Sequence, residues 1–327
     1  MNKCHAITVS SDGSLCLVRH SISAPGENEV LIRVYAAGVN RGDIKQKYGD
    51  YPSLPQSASA VLGLEVSGVI EEVGSHVSQW QRGDRVCALL MGGGYAEYSL
   101  AQATHCLPIP QGFGFIEAAG LPETFSTVWQ TLILQAHLRR GESLLLHGGA
   151  SGIGVAAIQI ASRMGVTVFA SAGSERKCRA CIDLGARHAI NYRQDDFESV
   201  VMELTNGQGV DVVLDMVGAP YASKNVNVMA DQARLVYVAG DSGGTVDFNV
   251  RDIMLRRLTI TGSTLRHRSI SEKREILREL ERAIWPQLES GAIKPVIDKV
   301  FSLEQAQHAH DYLEQGNAIG KVVLGVR

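Results

Sequence analysis

The sequence predicts an α/β protein in which a doubly wound parallel sheet is combined with a β-rich region, and three observations carry that prediction. Leu144-Leu145-Leu146 runs straight into His147-Gly148-Gly149-Ala150-Ser151-Gly152-Ile153-Gly154, a strand buried on both faces that breaks into a glycine turn. From about residue 120 onward, apolar runs of strand length alternate with segments of helical periodicity. Before that point the apolar runs read as strands, separated by glycine and proline.

Taken in order, Val30 to Ala37, Val66 to Val73 and Asp84 to Leu90 are the first three extended runs. Gly38 to Pro52 is a polar loop or short helix, and Leu62-Gly63-Leu64-Glu65 leads from it back into strand. Gly120-Leu121-Pro122-Glu123-Thr124 opens a helix with proline in its first turn, continued from Phe125 to Leu134. A helix from Ile153 to Met164 follows the glycine turn, its apolar residues spaced for packing on a sheet. Then come strand Val166 to Ala170, helix Glu175 to Leu184, strand His188 to Asn191, helix Phe197 to Thr205 and strand Val210 to Asp215. Helix Ala222 to Met229 and strands Arg234 to Val238 and Leu258 to Thr261 complete the alternation. The end of the chain holds a charged helix from Ser271 to Ser290, strand Val296 to Phe301, helix Leu303 to Glu314 and strand Gly320 to Leu324. These elements divide the chain into residues 1–120, 121–262 and 263–327, the last returning to the first domain.

With 327 residues there is room for two cores, and 45% hydrophobic with 20% charged residues is ordinary for a globular protein. Thirty-one basic against 34 acidic residues, a net charge of −3, leaves no electrostatic footprint for nucleic acid or an anionic membrane. The first residues lack the apolar core of a signal peptide, and no run reaches the roughly 18 apolar residues of a membrane span, so a cytoplasmic protein is expected. Six scattered cysteines fit reduced thiols; Cys178 and Cys181, spaced C-x-x-C inside a helix, read as packing groups.

A strand, a glycine turn and a helix N-terminus make an anion site, because unpaired amide N–H groups and the helix dipole converge there. The pyrophosphate of a dinucleotide fits it, although Gly149-x-x-Gly152-x-Gly154 is a loose version of the usual G-x-G-x-x-G fingerprint. The next strand ends Phe169-Ala170-Ser171-Ala172-Gly173-Ser174, with no acid at its tip to bond a ribose 2′-OH. Ser174 and Lys177 instead suit a 2′-phosphate, with Tyr192 and Arg193 at the following strand end. Two readings stay open: Lys177 and Arg176 also suit plain solvation of a helix start, and Glu175 leaves room for NADH.

Further stretches stand out along the chain: Ala36-Ala37-Gly38-Val39-Asn40-Arg41-Gly42-Asp43, Gly49-Asp50-Tyr51-Pro52, Leu62 to Val69, Gly83-Asp84-Arg85-Val86, Gly173 to Lys177, Asn191-Tyr192-Arg193 and Asn317-Ala318-Ile319-Gly320-Lys321. In this order, together with His147 to Gly154, they resemble the zinc-independent quinone oxidoreductases of the medium-chain dehydrogenase/reductase superfamily over nearly the whole chain. The branch that includes the p53-inducible quinone oxidoreductase is the most similar, through Asn40 to Glu65 and Gly92-Gly93-Gly94. The resemblance implies a GroES-like substrate domain split around a Rossmann domain, NADPH as cofactor, and a homodimer joined through Rossmann edge strands, with Leu258 to Ser263 as the joining strand. By family position the cofactor would meet Gly149, Ala150, Ser151, Gly152, Ile153, Gly173, Ser174, Lys177 and Tyr192, with Thr127, Val217, Gly240, Thr264, Leu265 and Asn317 flanking the nicotinamide.

Zinc-dependent relatives carry a cysteine near Asn40 and a histidine where this chain has Leu64; neither replacement suits Zn²⁺. No metal is therefore expected, and the implied reaction is NADPH-dependent reduction of a quinone by direct hydride transfer. A quinone is a strong acceptor that needs only donors for the oxygen that becomes negative. Asn40, Tyr48 and Tyr51 are the candidates, as positioning groups and not as an essential acid or base; Lys45 stands where several bacterial quinone reductases have tyrosine. An enone or enal reductase on the same scaffold is the alternative. A second is a nucleotide-binding structural or RNA-associated protein with little turnover. His147 reads as a packed, hydrogen-bonded histidine.

Overall fold

The computed structural model describes residues 2–50, 60–240 and 244–327, so Tyr51 lies outside the described residues. The chain divides into two compact units, residues 1–126 with 266–327, and residues 127–265. The first boundary falls six residues beyond the one read from the sequence. The Glu123 backbone N–H donates to Glu65 Oε2 (2.9 Å), which ties the start of helix Pro122–Val128 to the first unit.

In the first unit, strands Ile297–Ser302, Lys321–Gly325, Glu29–Val39, Glu65–Val73, Arg85–Leu89 and Cys106–Pro108 lie side by side in that order, and Tyr98–Gln102 also pairs with Glu29–Val39. Alternate residues of these strands, Ile32, Val34, Val66, Ile70 and Val86 among them, close a core with Tyr95, Leu303 and Leu324. An antiparallel hairpin, Asn2–Val9 with Leu15–Ile22, precedes them. The sequence reading did not single it out, although Asp12-Gly13, with Gly13 at φ +81°, is a hairpin turn signal. The polar stretch after Val39 is a helix, Arg41–Tyr48, ended by Gly49 in the left-handed region.

The second unit holds a parallel sheet in the order His188–Asn191, Thr167–Ala172, Ser143–Leu146, Val210–Asp215, Met229–Tyr237, Thr259–Gly262. Leu144, Leu145 and Leu146 are fully buried because their strand has a neighbour on both sides. The strand order reverses at Ser143–Leu146, the place where open α/β sheets leave a crevice at their carboxyl ends. A doubly wound sheet is what the alternation of elements dictates.

One helix differs from expectation. After Pro122–Val128 the chain widens into a π-helical segment, Trp129–Gln135. Thr131 Oγ1 donates to the carbonyls of Thr127 (2.7 Å) and Val128 (3.2 Å), and the Ala136 N–H then reaches back to the Thr131 carbonyl. A threonine hydroxyl competing for helix carbonyls is a local device that periodicity does not reveal. A short helix, Val250–Arg256, was also not singled out. No described helix is long and apolar enough to cross a membrane.

Candidate functional site

The glycine turn is built by mutual fit of backbone. The Gly149 N–H donates to the Ser171 carbonyl (2.9 Å), the Ser151 N–H donates to the Gly148 carbonyl (2.8 Å), and Gly148 sits at φ +70°. Ser151 caps helix Gly152–Arg163, its Oγ accepting from the Gly154 N–H at 3.0 Å. Gly152 and Ile153 supply the first N–H groups of the helix, which no carbonyl of the helix itself can accept. A Cβ on Gly149 would stand 2.8 Å from Ala170 Cβ and Cys181 Sγ, and one on Gly154 would overlap the carbonyl oxygens of Gly148 and Gly149. Turn and helix start are therefore in backbone contact, and the N–H groups left over at the helix start make this a place suited to an anion such as a pyrophosphate.

The other expected cofactor positions of this unit fall at the carboxyl ends of the parallel strands. Gly173 and Ser174 follow Thr167–Ala172, and Tyr192 follows His188–Asn191. Val217 follows Val210–Asp215, Gly240 comes three residues after Met229–Tyr237, and Thr264 and Leu265 follow Thr259–Gly262. Thr127 is buried in the last turn of helix Pro122–Val128. Ser174 caps helix Glu175–Asp183, accepting from the Lys177 N–H at 3.4 Å. The Tyr192 phenol lies so close over Gly173 that a Cβ there would collide with it. Glu175 Oε1 accepts from the Asn191 side-chain amide (3.0 Å), so the one acid at this strand tip is engaged by a neighbour.

Asn40, Tyr48 and Asn317 belong to the first unit. Asn40 precedes helix Arg41–Tyr48, but its amide is committed within the chain. Nδ2 donates to Glu65 Oε1 (3.0 Å) and lies 3.5 Å from the Gly38 carbonyl, while Oδ1 accepts from Lys321 Nζ (2.7 Å). The side chain is thereby held in one orientation by Lys321 and Glu65. Tyr48 is 58% exposed, with its hydroxyl 3.4 Å from Glu314 Oε2 and the Lys47 ammonium over its ring. Asn317 is exposed, its amide 3.5 Å from Gln315 Oε1.

Several residues around Asn40 escaped the sequence reading as functional groups. Lys321 Nζ is held among three oxygens, Glu65 Oε1 (2.7 Å), Asn40 Oδ1 (2.7 Å) and the Val39 carbonyl (3.0 Å), and both charged side chains are almost fully buried. Asp43 is fully buried and accepts from the Asn40 N–H (2.8 Å), the Gly63 N–H (3.2 Å) and the Tyr95 hydroxyl (3.0 Å). Burial pushes its carboxyl up to about 6, against those hydrogen bonds. Because Tyr95 donates to Asp43, His310 Nε2, 3.2 Å from the same hydroxyl, must donate to it; burial holds the His310 imidazole down at about 4. The Glu123 carboxyl is pushed up to about 8 by burial and by Glu65. A signal for Lys321 and Glu65 was present: each is a charge abutting a continuous apolar strand.

Among the described residues, no group of three or more His, Cys, Asp and Glu side chains is arranged to hold a metal ion. Cys178 and Cys181 are buried free thiols.

Residues 26–111 match the family model described as the alcohol dehydrogenase GroES-like domain, and residues 152–282 match the one described as zinc-binding dehydrogenase. The quinone oxidoreductase of Sus scrofa is 33% identical over 309 residues, covering 93% of this chain and 91% of that protein. The structure of Escherichia coli quinone oxidoreductase complexed with NADPH superposes with a TM-score of 0.89 at 27% identity, over 99% of both chains. That of CurK enoyl reductase does so with a TM-score of 0.88 at 30% identity, over the whole of both chains.

Proposed function

Because this chain belongs to the quinone oxidoreductases of the medium-chain dehydrogenase/reductase superfamily, we propose that it binds NADPH at the glycine turn and reduces a quinone by direct hydride transfer without a metal. The single observation that carries the reading is the cradle of Gly149, Ala150, Ser151, Gly152 and Ile153 at the reversal point of the parallel sheet. When bound, NADPH supplies the hydride. The residues of the chain bind, orient and keep out water. Helix start and turn hold the pyrophosphate, Ser174 and Lys177 with Tyr192 and Arg193 receive the 2′-phosphate, and Gly173 also meets the cofactor. Thr127, Val217, Gly240, Thr264, Leu265 and Asn317 border the nicotinamide, while Asn40, Tyr48 and Tyr51 position the acceptor.

The zinc named in one of the matching family models does not fit this chain. The oxygens of Asn40 and Glu65 already surround the Lys321 ammonium, and Leu64 offers no lone pair. A dication there would have to displace an internal cation.

A hydrogen bond to a charged group is worth about 1.5–3 kcal/mol, so Lys177→Ala is expected to raise the KM for NADPH about ten- to a hundredfold and to leave that for NADH nearly unchanged. Steady-state kinetics with both nucleotides check this; equal loss with both counts against the 2′-phosphate assignment. A second reading, reduction of an enone or enal, is favoured by the likeness to an enoyl reductase. Parallel assays with 1,2-naphthoquinone, 1,4-benzoquinone and a simple enone discriminate the two, and the proposed function expects faster turnover of the quinones.

The proposal includes a homodimer. Thr259–Gly262 is an edge strand, and helix Val250–Arg256 exposes Val250 (64%), Met254 (71%) and Leu255 (65%), apolar surface that suits a second copy. Met254→Asp is expected to shift light-scattering mass from two chains to one; a single-chain mass for the unaltered protein would refute the assembly.

A further inference from the structure

His147 lies beneath the glycine turn and is fully buried, its ring set edge-on against Phe197 and Tyr221 at 4.7 Å each. Both ring nitrogens are bonded. Nδ1 is 2.8 Å from Ser171 Oγ, and Nε2 is 2.8 Å from Asn225 Oδ1. The direction of each bond follows from its neighbours. Asn225 Nδ2 donates to Asp215 Oδ2 (2.7 Å), so its Oδ1 faces the imidazole and Nε2 must carry the hydrogen. Nδ1 is then the acceptor, and the Ser171 hydroxyl donates to it. Burial lowers the affinity of the ring for a second proton, and the geometry has no use for one.

The two ends of this chain of bonds are backbone. On one side the carbonyl of Ser171 accepts the N–H of Gly149, the residue at the apex of the glycine turn. On the other, Asp215 Oδ1 accepts the N–H groups of Val217 and Gly218, the loop that follows the next strand of the sheet. The two loops also touch directly. Ser151 Oγ donates to Met216 Sδ (3.7 Å), and that sulfur lies 2.8 Å from where a Cβ on Gly148 would be. His147 is thus the middle link of a closed circuit through the carboxyl ends of three neighbouring strands.

We propose that His147 is a positioning residue for the dinucleotide: one buried, neutral imidazole fixes the glycine turn against the Val217–Gly218 loop, so that the two backbone segments are held ready for the cofactor. This rests on the reading that NADPH binds at the glycine turn. No part of His147 touches the nucleotide. It acts through Ser171 on one segment and through Asn225 and Asp215 on the other.

Three variants test it by titration of NADPH fluorescence. His147→Phe keeps the ring packing and severs both bonds, and is expected to raise the Kd about tenfold or more, as loss of a bonded buried pair implies. His147→Gln keeps a donor toward Asn225 and is expected to recover most of the affinity. Val210→Ala, in a fully buried residue at the amino end of the Val210–Asp215 strand, lowers stability and is expected to leave the Kd unchanged. If the phenylalanine variant does not fold, His147→Asn, which keeps an acceptor for Ser171 and gives up Asn225, carries the same expectation of weakened binding. A folded phenylalanine or asparagine variant that binds like the unaltered protein overturns the inference, as does a Val210→Ala variant weakened to the same extent. Failure of the unaltered protein to bind NADPH would overturn the parent reading as well.

Discussion

Replacing Gly154 by alanine is expected to abolish measurable NADPH binding and to lower the melting temperature. The reason is local and steric. The third residue of helix Gly152–Arg163 sits against the carbonyl oxygens of Gly148 and Gly149, and a Cβ there would overlap both. The obstructing atoms are backbone, so no side-chain rotation relieves them; either the helix start or the turn must move. Overpacking of a well-fitted site costs about 1–3 kcal/mol, and here the displaced atoms are the ones that shape the anion cradle. Gly244→Ala is the control, because a Cβ at Gly244 meets nothing within 4 Å. Nucleotide titration and thermal unfolding of both variants check the expectation, and wild-type affinity in Gly154→Ala would refute it.

Lys321→Met has the largest expected effect on stability. It removes the cation from a pair whose carboxylate, Glu65, is fully buried, and it frees Asn40 Oδ1 and the Val39 carbonyl at the same time. Breaking a buried pair by deleting one partner costs about 3–5 kcal/mol, since the remaining charge is stranded. Adding Glu65→Gln to that variant removes the stranded charge and is expected to recover part of the loss, the sign of true coupling in a double-mutant cycle. The exposed pair Lys224–Asp196 is the contrast: its removal is expected to leave the midpoint nearly unchanged. Denaturant midpoints of the unaltered protein, Lys321→Met, Glu65→Gln, the double variant and the Lys224–Asp196 variant check this. A small loss for Lys321→Met would mean that the clamp on Asn40 contributes little.

Much of the fold was legible because it depends on local pattern. Three leucines before a glycine turn require a strand with two neighbours, and the alternation that follows requires a parallel sheet. The positions expected around a dinucleotide follow the same rule, since Gly149, Gly173, Tyr192, Val217, Gly240 and Thr264 come soon after successive strands end. The chemistry of Asn40 was less legible. Its residue type says that it can donate, whereas Lys321 and Glu65, distant in sequence, decide how its amide is oriented. Asp43, Tyr95 and His310 are likewise joined only by tertiary structure. Thr131 widens a helix through its hydroxyl, an effect that apolar spacing cannot encode. His147 was read as a packed, hydrogen-bonded residue; its partners Ser171, Asn225 and Asp215 became visible only once the sheet was assembled.

The most direct test is turnover after exhaustive treatment with a metal chelator. With NADPH and 1,4-benzoquinone or 1,2-naphthoquinone, the treated protein is expected to oxidise NADPH at the rate of the untreated one, and added zinc is expected to change nothing. Absence of NADPH oxidation with every quinone, or activity that returns only when zinc is restored, would contradict the account.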